Sequence, residues 1–64
     1  MEDYTTENEA LDNAEEFLDN NVVDRKDRHS VEDLVTEIKA RMENGETAQV
    51  AVEELNDLIE LLSE

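Results

Sequence analysis

Apolar residues recur at three- and four-residue spacing in three separate stretches of the chain, which is the period of a helix with one buried face. The first stripe is Ala10, Leu11, Ala14, Phe17 and Leu18, and the second is Val31, Leu34, Val35, Ile38 and Met42. The third is Ala48, Ala51, Leu55, Leu58 and Leu62, flanked by Val52, Ile59 and Leu61. There is no proline, and the single glycine is Gly45, so little interrupts helix formation. The pattern predicts helices over residues 7–20, 31–43 and 48–62.

Capping residues punctuate these stretches. Thr6, Glu7, Asn8 and Glu9 fit a capping box, in which hydroxyl and carboxylate satisfy free backbone donors at a helix start. Asn20 and Asn21 are a plausible stop, because asparagine tolerates the left-handed conformation that ends helices. Residues 22–29 read as a connector, since Asp24, Arg25, Lys26, Asp27, Arg28 and His29 carry no helical apolar period. Ser30 is then expected to cap the second helix, with Glu32 and Asp33 favouring the positive end of its dipole. Asn44 and Gly45 are expected to close it, because glycine adopts positive φ without a Cβ clash. Thr47 can cap the third.

The expected fold is therefore all-α: one small three-helix domain. A connection of about three residues makes the second and third helices an antiparallel αα-hairpin, with the first covering its open side. The chain has 64 residues, enough for a single domain with a small core. Its apolar supply includes five alanines and only two aromatics, Tyr4 and Phe17. A core of this kind contributes on the order of 3–5 kcal/mol at best. Self-association into a homodimer is a natural supplement, and the third stripe offers Leu55, Leu58, Ile59 and Leu62 as its seam. The same breadth also serves a monomeric bundle.

Charge changes the picture most. Twenty Asp and Glu stand against five Lys and Arg, a formal net charge of −15. Such a surface repels phosphate, so direct binding of nucleic acid or an anionic membrane is not expected. No continuous apolar run is long enough to span a bilayer, and the start of the chain, Met1, Glu2, Asp3 and Tyr4, lacks the basic and apolar regions of a signal peptide. The expected location is cytoplasmic.

The charge is also segregated. Residues 1–24 hold nine acids and no Lys or Arg, residues 25–41 hold four acids and all five cations, and residues 42–64 hold seven acids and no cation. The three segments thus carry −9, +1 and −7. On the first helix Asp12, Glu15, Glu16 and Asp19 fall at i, i+3, i+4 and i+7, opposite the apolar stripe, with Glu7, Glu9, Asn8 and Asn13 nearby. On the third, Glu53, Asp57, Glu60 and Glu64 repeat at spacings of four, three and four. Like charges so placed cost an isolated helix roughly 0.2–0.5 kcal/mol per pair, and no cation at i+4 offsets them. Only the middle helix interleaves signs, with Glu37 in reach of Arg41.

Two carboxylate ladders on a rigid scaffold can imitate rows of phosphates and occupy a basic groove on a nucleic-acid-binding protein. In charge and size the chain resembles small phage-encoded DNA mimics and inhibitors, a convergent group without a shared motif; the resemblance carries over no residue. It implies a non-enzymatic inhibitor or antitoxin-like module whose partner is a basic protein, met by Asp12, Glu15, Glu16, Asp19, Glu53, Asp57 and Glu60. The same acidity is also consistent with adaptation to high salt, which screens self-repulsion. It equally suits a small structural or adaptor protein that binds through the apolar face of its third helix.

Chemistry at a catalytic or metal centre is not expected. General acid–base work needs a carboxylate pair whose pKa values are pushed apart by burial, and these ladders occupy a predicted wet face. Ser30 and Ser63 have no credible base, and the lone His29 and absent cysteine leave no thiolate or multi-histidine metal site. The run from Asp19 to Asp24 begins like a calcium loop but has Val23 at its fifth position, Asp24 where glycine belongs and Ser30 at the twelfth. No cofactor is expected. Arg25, Lys26, Arg28 and His29 form a basic cluster interrupted by Asp24 and Asp27, which reads as a connector neutralising its acidic neighbours.

Overall fold

A computed structural model of the chain describes residues 4–64. Met1, Glu2 and Asp3, part of the start read above as lacking a signal peptide, lie outside the described residues. Three helices follow in order: α1 (Thr5–Asn20), α2 (Arg25–Glu43) and α3 (Gln49–Leu62). No strand occurs among the described residues, and each helix packs on both others. The bundle measures 37 × 17 × 17 Å.

The three stripes meet as the pattern requires. Val31, Ile38 and Leu55 are fully buried, and Ala10, Ala14, Ala48 and Ala51 fill the interior beside Leu11 and Val52. Four alanines among nine core residues let the helices approach closely but supply little apolar area, so larger side chains at the margin complete the burial. These include Leu18, Leu34, Met42 and Leu62, each half-buried.

The helix starts differ from the sequence expectation. The connector expected over residues 22–29 shrinks to residues 21–24, because α2 begins at Arg25 with Asp24 at its N-cap. Ser30 is not a cap. It lies inside α2, where its hydroxyl donates to the Lys26 carbonyl one turn back, at 3.2 Å. Thr6 likewise falls inside α1, whose N-cap is Tyr4, and α3 starts after Ala48 rather than on a Thr47 cap; no side-chain cap hydrogen bond forms at any of the three N-termini.

The stops are nearer to expectation. α1 ends at Asn20, but Asn21 is extended at φ −131° rather than left-handed. Its carboxamide instead donates to the Phe17 carbonyl at 2.9 Å, satisfying one of the free acceptors of the last turn. Gly45 takes φ +78°, the left-handed conformation expected of it. Around it the Glu46 N–H donates to the Arg41 carbonyl at 2.8 Å and the Gly45 N–H to the Met42 carbonyl at 3.1 Å. This is the paired-bond pattern of a Schellman cap. The connection between α2 and α3 is five residues, 44–48.

Candidate functional site

Helical periodicity places the acids, and the packing of α1 between its neighbours divides them. All seven carboxylates of the expected partner-binding set, Asp12, Glu15, Glu16, Asp19, Glu53, Asp57 and Glu60, are exposed. Glu15 lines a groove between α1 and α2 together with Glu32 and Lys39. Asp12 and Asp19 stand three or four residues from both Glu15 and Glu16, and so lie between them on the exposed face of α1. Glu16 turns the other way and lines a groove between α1 and α3. On α3, Glu53, Asp57 and Glu60 lie opposite the buried Ala51, Val52 and Leu55.

None of the seven takes part in an ion pair among the described residues. The pairs present all draw on cationic side chains of α2: Arg28 with Glu32 at 3.8 Å, Arg41 with Glu46 at 4.0 Å, and His29 with Asp33 at 3.7 Å when the imidazole is protonated. Each is solvent-exposed and weak. The expected pairing of Arg41 with Glu37 is replaced by Glu46, because the turn at Gly45 brings Glu46 back to the end of α2. The basic cluster of Arg25, Lys26, Arg28 and His29 is exposed on the first turns of α2.

Of the expected self-association seam, Leu55 is fully buried in the chain's own core, while Leu58, Ile59 and Leu62 are half-buried against it. The apolar side chains left free lie elsewhere. Val50 and Leu61 are 70% and 65% exposed, and Val22 is completely so.

Two features escaped the sequence reading. Glu7, counted there among residues near the acidic ladder, is only 4% exposed and shares the buried face of α1 with Ala10, Leu11 and Ala14. Its seven-residue spacing to Ala14 was the available signal. The second is a carboxamide strip: Asn13 and Asn20 from α1, Asn21 just after it and Asn56 from α3 line one groove of about 360 Å³ with Glu16, over Phe17 and Ile59. Asn13 and Asn20 stand seven residues apart, but Asn56 joins them only once α3 lies beside α1.

Among the described residues no group of three or more His, Asp or Glu side chains is gathered to hold a metal ion, and no helix is long and apolar enough to cross a membrane. No protein-family profile, curated protein or solved structure matches this chain.

Proposed function

We propose that the chain is a non-enzymatic, cytoplasmic protein-binding module that presents its two carboxylate ladders to a basic surface, as an inhibitor standing in for nucleic acid. One observation carries the reading: seven exposed ladder carboxylates, Asp12 to Asp19 on α1 and Glu53 to Glu60 on α3, have no cationic partner among the described residues. Charge density supports it. Residues 4–64 hold 18 acids and five cations, a net −13 spread along 37 Å, or about one charge per 2.8 Å, between about 1.7 Å for duplex DNA and 3.4 Å for one strand. In this reading α2 and α3 form an antiparallel hairpin that holds the ladder-bearing helices in fixed relation. Association is fast and salt-sensitive, since long-range attraction steers it.

A second reading keeps the acids as solubilising charge and places the contact on the apolar residues of α3, with a second copy as partner. It is favoured by the exposure of Val50 and Leu61 beside half-buried Leu58, Ile59 and Leu62.

Affinity capture from lysate across a salt series separates the two. The mimic reading expects a nucleic-acid-binding protein that is released by about 0.3–0.5 M salt and displaced by added DNA or RNA. Capture that withstands both would contradict it. A concentration-dependent dimer abolished by V50A and L61A would favour the second reading.

A further inference from the structure

Between the ladders runs one strip of the surface made mainly of carboxamides, the groove between α1 and α3. Its polar lining is four carboxamides, Asn13, Asn20, Asn21 and Asn56, and one acid, Glu16, all exposed, above the half-buried Phe17 and Ile59. Asn21 is engaged in closing α1, whereas the side chains of Asn13, Asn20 and Asn56 make no hydrogen bond to any described residue. Acids frame the strip on both sides. Glu9 and Glu16 stand four residues before and three after Asn13, and Glu53 and Glu60 stand three before and four after Asn56, so each pair shares a helix face with its asparagine.

The geometry points to this groove as the seat of an extended, lysine- or arginine-rich polypeptide segment of the basic partner. The inference rests on the reading of the chain as a binder of basic proteins and states how such a partner is held. Each free carboxamide offers two donors and an acceptor, which matches the alternating N–H and C=O groups of an extended backbone. A helical segment has already satisfied those groups internally and leaves the three asparagines unanswered. The seven residues from Asn13 to Asn20 cover about 10.5 Å of helix, the length of about three extended residues. Successive side chains of an extended chain point to opposite sides, so alternating cations reach the Glu9 and Glu16 rail on one side and the Glu53 and Glu60 rail on the other. Nucleic acid is turned away by the same rails, and Phe17 and Ile59 give the floor an apolar contact for the segment's stems.

The test is calorimetric titration at low salt with two synthetic peptides of equal length and charge, one repeating Lys-Lys-Thr-Thr, which puts Lys on both sides of an extended chain, the other a helix-forming Ala and Lys sequence. The wild-type chain is compared with the N13A, N20A, N56A triple variant. Alanine is a better helix former than asparagine, and circular dichroism checks that helicity is kept. The expected result is that the triple variant binds the extended peptide about tenfold or more weakly while the helical peptide changes less than twofold. A backbone-independent check is that the side-chain amide resonances of Asn13, Asn20 and Asn56 in the wild-type chain shift when the extended peptide is added. Equal loss for both peptides, or no loss for either with unmoved amide resonances, overturns the inference while leaving basic-partner binding intact. Failure of both peptides to bind the wild-type chain overturns the basic-partner reading and this inference together. A peptide-free dimer that the triple variant dissolves would assign the groove to a second copy instead, and also overturns it.

Discussion

Arg41 and Glu46 are joined twice: the Glu46 N–H donates to the Arg41 carbonyl at 2.8 Å, and the two side chains stand 4.0 Å apart as an ion pair. The positions are those that a Schellman cap ordinarily fills with an apolar contact. In this acidic chain the contact is ionic, and it takes up the one cation in the last turn of α2. The backbone bonds and the left-handed Gly45 between them fix where α3 begins.

The two parts of that turn are expected to differ in weight. Both side chains are about half exposed, so E46Q should cost well under about 1 kcal/mol. G45A puts a Cβ on a residue at φ +78° and should cost about 1–2 kcal/mol, although the space around it is open. Urea unfolding followed by helicity measures both. Equal costs would contradict this division.

Ser30 offers a test of the start of α2. As the expected helix cap, its replacement by alanine would cost about 1 kcal/mol. As a residue within α2, bonded back to the Lys26 carbonyl, S30A should be neutral or stabilising by about 0.5 kcal/mol, since alanine is the better helix former. Loss of a full kcal/mol would move the start of the helix back towards Ser30.

The number of helices, their buried faces and the glycine stop were legible in the apolar period, because burial of one stripe per helix is what holds a bundle of this size together. The start of α2 was not. Its first turn is made of Arg25, Lys26 and Asp27, which read as a charged connector, yet Arg and Lys have helix propensities close to leucine's. Only Asp27, four residues before the buried Val31, is half-buried there, so no apolar repeat announces the turn. Glu7 is hidden for a related reason: a charge by itself suggests a solvent-facing position, whereas its spacing follows the stripe of Ala10 and Ala14. The acidic ladders were legible as rows on single helices. The groove of asparagines was not, since uncharged polar residues leave no mark on either the apolar or the charge pattern, and Asn56 lies on a different helix from the others.

Glu7 is expected to cost stability where it stands. It occupies an apolar face at 4% exposure, and a leucine there would extend the stripe of α1. E7L should stabilise the bundle by about 1 kcal/mol after loss of the favourable carboxylate in the first turn. E9L, on the exposed face, should bring no such gain. Thermal unfolding of the two variants side by side distinguishes a buried position from a general effect of removing one acid.

Salt should act on folding and on binding in opposite directions. The seven ladder carboxylates lack cationic partners among the described residues, so their mutual repulsion is relieved as the screening length falls from about 30 Å at 0.01 M salt to about 3 Å at 1 M. The unfolding temperature should therefore rise over that range, whereas affinity for a basic partner should fall. A chain whose unfolding temperature is indifferent to salt would show that the ladders are too far apart to repel.

Whether the ladders meet a basic surface is decided by the salt dependence of affinity for the captured partner. The comparison is between the wild-type chain and one carrying D12N, E15Q, E16Q, D19N, E53Q, D57N and E60Q. The wild-type chain should lose affinity steeply with salt, and the neutralised variant should bind weakly with a nearly flat dependence while its helicity is retained. Equal affinity and equal salt slope for the two chains would refute ladder-mediated binding.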